Sequence, residues 1–499
     1  MKKNKSLIGK IVIDGNIVLK SAMLIGCGED DNTDIDVIKD GAGAPFIPAT
    51  SFVGVLKQKC SEIYKINYDK ADDSQFLTKK EFEYIFGTTD NTSHLSCSDI
   101  TILTNLNKVN VVEVRDGVKI DSKTGIAEDK GKYDYEVVAP GSKFQLKIEV
   151  DLFSDLDDSI SIEKIKKAGG TIFNLLKENG IRIGAKTNSG LGKAFLENGR
   201  IFLLDFTRKQ DVVAWLTGAG INERQDESSS IGYHNINFSE SRFVINVSLD
   251  IKNSLIIRSY SDEPNDPDAS HLKSGGKFII SGTSIKGALR ARAERIVRTI
   301  FDKNGIPKEK TNAYINYLFG NSYELETEDD DKGGHKKIKI DIPSRVLAEE
   351  VNLDYICSEV QSRIKIDRFT GGVINSALFD SLPVFPSNTL GEESNIKNFT
   401  ITVKNPSDAD KGLMLLLLKD LWTGNLAVGG EKNIGRGVFT GKWAAIKSVN
   451  NKEVNFFKIQ DISDDDKKYM EKLVKKLNDV SEEELNEIES RIKKFKSNN

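Results

Sequence analysis

The chain has 499 residues, of which 38% are hydrophobic and 29% charged, with a formal net charge of −4. That length and apolar content suffice for two or three domains with real cores, and no apolar run approaches a membrane span. The balance excludes a protein that is basic overall, but not a nucleic-acid partner, because there only the local field of a groove matters. The start, Met1-Lys2-Lys3-Asn4-Lys5-Ser6, is basic without an apolar stretch of signal-peptide length. Cys27, Cys60, Cys97 and Cys357 lie too far apart for a disulfide framework or a close zinc-binding pair. A reducing cytoplasm is the expected home. His94 and Cys97 have ligand-like spacing, but no second pair lies nearby.

In chain order, residues 11–24 place Ile11, Ile13, Ile17 and Leu19 at odd positions, which predicts a strand with one buried face. The acidic loop Glu29-Asp30-Asp31-Asn32-Thr33-Asp34-Ile35-Asp36 follows. Next comes Phe46-Ile47-Pro48-Ala49-Thr50-Ser51-Phe52-Val53-Gly54-Val55-Leu56-Lys57, a short strand feeding straight into a helix. Thr50 or Ser51 is the expected N-cap, and Phe52, Val55 and Leu56 share one face. Phe86-Gly87 comes next, then Gly117-Val118-Lys119-Ile120-Asp121-Ser122-Lys123-Thr124-Gly125. A strand over 144–150, a helix over 161–176 and the glycine-rich Ile183-Gly184-Ala185-Lys186-Thr187-Asn188-Ser189-Gly190-Leu191-Gly192 complete the first half. A linker over about 207–241 carries a short helix at 211–216 and ends in polar Asp226-Glu227-Ser228-Ser229-Ser230.

The second half repeats these landmarks in the same order. A strand over 243–257 leads through an acidic loop to Ile279-Ile280-Ser281-Gly282-Thr283-Ser284-Ile285-Lys286-Gly287-Ala288-Leu289-Arg290, with Thr283 or Ser284 as the expected cap. Phe319-Gly320, Arg363-Ile364-Lys365-Ile366-Asp367-Arg368-Phe369-Thr370-Gly371, a strand over 399–403, a helix over 408–421 and Val428-Gly429-Gly430-Glu431-Lys432-Asn433-Ile434-Gly435-Arg436-Gly437 follow. An internal repeat governs the whole fold. Each copy reads β-α-β-β-α-β, the ferredoxin-like unit, with insertions. The expected class is α+β: two tandem ferredoxin-like (RRM-like) domains at 1–208 and 241–448, a linker at 209–240 and a charged helical tail at 449–499.

Residues 324–332 read as a mobile acidic insertion. In the tail, Ser481 and Glu484 form a capping box, and Leu485, Ile488, Ile492 and Phe495 make an apolar stripe. This fits a helix packed on the chain's own body; the alternative is a helix that docks a partner. Lys286, Arg290, Arg292, Arg295 and Arg298 give the second helix a positive face, read either as solvated surface or as the wall of a ligand groove. The glycines of the loops at 183–192 and 428–437 permit positive φ and close approach to a phosphate, which Lys186, Lys193, Lys432 and Arg436 can neutralise. The plainer reading is a pair of tight turns.

The ordered set of strand–helix motif, Phe-Gly, Lys-Ile-Asp hairpin and glycine-rich loop resembles the RAMP superfamily of CRISPR-associated proteins. It is similar in particular to the backbone subunits of type III effector complexes, joined in tandem as in type III-D-like systems. The resemblance covers both repeats but not the tail, and the second repeat departs from it through its acidic insertion. It implies a cytoplasmic protein, with no membrane association, that holds CRISPR RNA among other type III effector subunits and cleaves complementary target RNA once assembled. It also implies β-hairpin thumbs, within 114–138 and 363–384, that flip out a target nucleotide, with Ile120, Ile126, Ile366 and Phe369 as apolar wedges. The implied RNA contacts are Ser51, Lys57, Lys186, Gly190, Gly192 and Lys193 in the first repeat. In the second they are Ser284, Lys286, Arg290, Lys432, Gly435, Arg436 and Gly437.

In this family a cleaving aspartate precedes an apolar pair, here Val37-Ile38, which selects Asp34, with Asp36 as fallback. The segment Asp34-Ile35-Asp36-Val37-Ile38-Lys39 aligns with Asp268-Ala269-Ser270-His271-Leu272-Lys273, so the second candidate is Asp268, with Asp266 as fallback. Such a carboxylate can act as base toward a ribose hydroxyl or hold Mg²⁺ or Mn²⁺, and the sequence leaves both roles open. Two other functions stay open: a scaffold that does not cut, and an endonuclease that matures CRISPR RNA.

Overall fold

The computed structural model describes residues 6–27, 33–64, 77–104, 111–121, 124–154, 160–234, 241–260, 266–328, 335–387, 394–448 and 453–497. They form two compact units, one of residues 1–117, 133–187 and 191–240, the other of 118–132, 188–190 and 241–499.

The first unit is built on the strand Leu7–Leu19, whose Ile11, Ile13, Ile17 and Leu19 are buried as the alternation requires. It pairs antiparallel with Lys143–Phe153 on one side and Lys193–Asp205 on the other. Leu95–Cys97 joins the outer edge of Lys143–Phe153, and Ile181–Arg182 pairs with the start of Lys193–Asp205. The principal strands, numbered by chain order, therefore lie 4-1-3-2 across the sheet. Two long helices supply much of the apolar cover. Ala49–Tyr64 buries Phe52, Leu56, Cys60 and Ile63, and Ile162–Asn174 buries Ile165, Ala168, Ile172 and Phe173 in the same core. The second of these ends in a π-helical turn, Leu175–Asn179, stopped by Gly180.

The second unit repeats the plan. Its central strand Arg242–Ile251 alternates buried and half-buried residues and lies between Ile396–Lys404 and Phe439–Lys447, with Val346–Ala348 outside the former. The order is again 4-1-3-2. Helices Gly282–Lys303 and Asp408–Trp422 bury Ile285, Leu289, Ala293, Val297 and Phe301, and Leu413, Met414, Leu417 and Leu421.

Several expectations need correction. The helix caps lie earlier than expected. Ser281 Oγ accepts the Ser284 N–H, and in the first repeat the helix begins directly after Pro48, with Asp99 accepting the Ala49 N–H. The segment read as a mobile acidic loop is largely a hairpin, Asn321–Glu328 with His335–Ile342, whose register sets Glu324 opposite Lys339 and Glu326 opposite Lys337. Residues 329–332 of that segment lie outside the described residues, as do residues 29–32 of the first acidic loop. The segment after 449 is not helical throughout. Glu453–Phe456 extends the second sheet beside Phe439–Lys447, and helices Asp464–Asn478 and Glu482–Ser497 bury Leu473, Leu477, Leu485 and Ile492. The Ser481–Glu484 capping box forms, and the tail packs on its own unit.

The linker is structured as well. Its helix is Lys209–Thr217, and Asp211, Asp226 and Glu227 accept N–H groups of Asp205, Ile201 and Leu203, along the edge that Ile181–Arg182 leaves open.

Candidate functional site

Each repeat carries a hairpin after its first helical layer: Val112–Ile120 with Ala127–Val138, and Gln361–Ile366 with Val373–Leu382. The turns are built alike. Gly125 and Gly371 stand at φ +70° and +68° and donate to the carbonyls of Asp121 and Asp367, whose carboxylates accept the N–H of Thr124 and Thr370. The N–H of Thr370, and then that of Phe369, hold the Asp367 carboxyl below its ordinary pKa. The tips are apolar and open: Ile120, Ile126 and Ile366 are exposed, and Phe369 fully so.

The aspartate loops run along the return strands of these hairpins. In the first repeat Glu136 N–H donates to Ile35; in the second, Ala269 and Ser270 pair in parallel with Ser381 and Leu382. Asp34 and Asp134 exchange bonds: the Asp34 N–H donates to Asp134 Oδ1 (2.9 Å), and the Asp134 N–H to Asp34 Oδ2 (3.0 Å). In the second repeat the Asp380 N–H donates to Asp268 Oδ2 (2.8 Å). Asp34 and Asp268 thus hold equivalent places. Both are exposed, each beside a second aspartate that the sequence reading missed. A signal for it existed, since Asp134 and Asp380 each stand thirteen residues after the turn aspartate of their hairpin.

The fallback Asp36 is buried and accepts the Thr33 hydroxyl, so it is no match for a solvent-facing role; Asp266 is exposed. His271, beside Asp268 in sequence, is buried. Its Nε2 bonds the Ile279 carbonyl and its Nδ1 accepts the Ile257 N–H, and burial lowers its pKa to about 4. It is a neutral packing residue. His94 stacks on Tyr84 at 3.9 Å between ring centroids and bonds the Tyr84 carbonyl, and among the described residues no group of three or more His, Cys, Asp or Glu could hold a metal.

The glycine-rich loops make matching backbone hydrogen bonds. Ile183 N–H donates to Gly192 and Val428 N–H to Gly437, both at 2.9 Å; Ala185 donates to Leu24 (2.7 Å) and Gly430 to Ile256 (2.8 Å). A Cβ on Gly192 or Gly437 would collide with the carbonyl oxygen of Ile183 or Val428, and φ there is +75° or +73°. These glycines therefore have an intrachain cause, and several of the loop N–H groups are already spent. Gly190 and Gly435 close the short 3₁₀ turns at φ +92° and +86°.

The ammonium of Lys186 lies 3.7 Å from the ring centroid of Tyr135 and 4.4 Å from that of Tyr133. Burial, and then the Arg115 charge, lower its pKa to about 8. Lys193 begins the fourth principal strand, where its N–H donates to Ser21, and Lys432 is exposed.

Along the first helices the expected cations divide. Lys57 Nζ donates to the Gly87 carbonyl (2.9 Å), and Arg290 donates to the Gly320 carbonyl and to Asn316. Both secure the Phe-Gly landmark of their repeat. Arg292 pairs with buried Asp420 and Arg298 with Glu294, so two of the five cations of the positive face meet a carboxylate within the chain. Lys286 is half-buried, with its pKa lowered to about 8 by burial and by Arg290; Ser51 and Ser284 sit half-buried in the first helical turns.

Among the described residues no helix is long and apolar enough to cross a membrane. No curated protein matches the chain. The family model of the RAMP superfamily matches residues 16–195 and 216–440, one stretch in each half and together most of the sequence. RAMP proteins are associated with CRISPR–Cas effector complexes and RNA binding, and some are RNases. On that match, reinforced by the repeated hairpins, loops and aspartates, the chain belongs to the RAMP superfamily.

Proposed function

We propose that this chain is a tandem backbone subunit of a type III CRISPR effector complex, with two ferredoxin-like units that hold CRISPR RNA and cut complementary target RNA at Asp34 and Asp268. One observation carries the reading: in both repeats an exposed aspartate is fixed by a backbone N–H of the return strand of an apolar-tipped hairpin. A wedge such as Phe369 or Ile126 replaces the stacking lost when a nucleotide is splayed out, and the aspartate acts at the displaced phosphate. The 4-1-3-2 strand order supports the ferredoxin-like assignment.

A second feature supports an RNA path along the first helices. Gly54 and Gly287 occupy the same place in each repeat, mid-helix and exposed, and a Cβ on either would meet nothing within 4 Å. Glycine there costs helix stability without a packing reason inside the chain, which fits close approach by a ligand backbone.

The donor set suits Mg²⁺ or Mn²⁺. The paired carboxylates offer hard oxygens, and Asp380 Oδ1 is buried with no hydrogen-bond partner among the described residues. Asp34 with Asp134, and Asp268 with Asp380, would hold the ion, which when bound would stabilise charge on the phosphate under attack.

The test is cleavage of complementary RNA by the assembled complex. Two cuts attributable to this chain are expected, one subunit repeat apart. Asp34→Ala should abolish one and Asp268→Ala the other, with guide and target binding intact. Full cutting by the double variant would leave the protein a scaffold, and cutting in the presence of a chelator would remove the metal role.

A further inference from the structure

The two glycine-rich loops share a backbone but carry opposite charges at one place. Lys186 and Glu431 both adopt the left-handed conformation, at φ +54° and +55°, directly before the 3₁₀ turn. Where the first loop presents a cation, the second presents a carboxylate surrounded by cations. Arg363 Nη1 lies 2.6 Å from Glu431 Oε2, Arg436 Nε 3.2 Å from the same oxygen, and Arg258 Nη2 3.3 Å from Oε1. Gln361 Oε1 accepts from Arg436 Nη2 and, at 3.4 Å, from Arg363 Nη2.

The charges do not balance. Three guanidiniums meet one carboxylate and one neutral amide oxygen. Arg436 is 2% exposed, and its Nη1 is buried with no hydrogen-bond partner among the described residues. Burial lowers its pKa, Glu431 raises it, and Arg363 and Arg258 lower it further. Excess buried positive charge is costly unless a further anion compensates it. The Arg258 side chain is 45% exposed, so the cluster opens to solvent on that side.

We propose that Arg258, Arg363 and Arg436 form a phosphodiester site for a single-stranded nucleic acid, in which Glu431 is the resident anion that the phosphate displaces. Forked guanidiniums match phosphate oxygens as well as carboxylate oxygens, and a phosphate brings more charge and more acceptors to the same place. Arg363 lies on the outgoing strand of the second hairpin, so displacing Glu431 also breaks one of the contacts between the loop and that hairpin, leaving the Arg436–Gln361 bond. The inference rests on the RNA-binding reading above.

The experiment measures binding of an unstructured oligouridylate RNA to the full chain by fluorescence anisotropy over a salt series, with inorganic phosphate as competitor in a parallel arm. Glu431→Gln removes the internal competitor and should tighten RNA binding on the order of tenfold. Arg258→Gln should weaken it and lower the salt slope by about one. Unchanged or weaker binding by a folded Glu431→Gln variant overturns the proposal. If that variant fails to fold, Arg258→Gln decides, and wild-type affinity and slope in it overturn the proposal. Competition by millimolar inorganic phosphate that responds to Glu431→Gln, while RNA binding does not, reassigns the site to free phosphate and overturns it too. Wild-type chain that binds no RNA defeats both this inference and the functional reading; wild-type binding indifferent to both substitutions defeats this inference alone.

Discussion

At the scale of single residues, the two repeats share a scaffold and differ in charge chemistry. Lys186 lies against two tyrosine rings, and Glu431 holds the matching place among arginines. Lys186 has a functional consequence that pH can read. Its pKa is lowered to about 8, and so is that of Lys286. Both amines lose their charge as pH rises through that value, so RNA affinity should fall between pH 7 and pH 9. A variant carrying Lys186→Arg and Lys286→Arg keeps both charges across the range and should bind with a flatter profile in the same titration. An equally steep fall in that variant would exclude these lysines as phosphate contacts.

At the scale of elements, the first helix of each repeat carries a glycine that its own fold does not require. Gly54→Ala and Gly287→Ala should each raise stability by about 1 kcal/mol, through helix propensity. Denaturant unfolding of the full chain measures that gain. If RNA runs along these helices, the same substitutions should weaken RNA binding, because the added methyl stands where the ligand backbone approaches. A variant that is more stable and binds RNA equally well would leave the glycines unexplained by RNA. The contrast lies with Gly192 and Gly437, where a Cβ meets a carbonyl oxygen and the backbone is left-handed, so substitution there is expected to destabilise the fold itself.

At the scale of the whole molecule, the second unit depends on the segment after residue 449. Glu453–Phe456 completes an edge of its sheet, and Leu473, Leu477 and Leu485 lie in its core. Gly412 shows how closely the parts fit, since a Cβ there would collide with the Leu473 carbonyl oxygen. Burying one leucine contributes about 1.5–3 kcal/mol, and a domain is stable by only about 5–15 kcal/mol. Truncation at 448 should therefore unfold the second unit or render it insoluble, while the first unit keeps its own transition in calorimetry. A truncated chain with two intact transitions would return the tail to the status of a dispensable appendage.

What could be read from the sequence was whatever local chain chemistry dictates. Alternation at Ile11, Ile13 and Ile17 marks a strand, the repeated Asp-x-x-Thr-Gly marks a turn, and the same order of landmarks in both halves marks a duplicated backbone, because φ/ψ preferences and side-chain periodicity act over a few residues. The alignment of Asp34 with Asp268 belongs here, and matching bonds to Asp134 and Asp380 accompany it. Tertiary structure alone decided which charges are already answered. Asp34 meets Asp134 across 100 residues, Arg292 meets Asp420 across 128, and Arg363 meets Glu431 across 68. Lys57 and Arg290, read from the sequence as phosphate contacts, donate to the carbonyls of Gly87 and Gly320, 30 residues away in each case. A charge carries no local mark of its partner; only the packing of distant segments determines whether it is neutralised within the chain or left for a ligand.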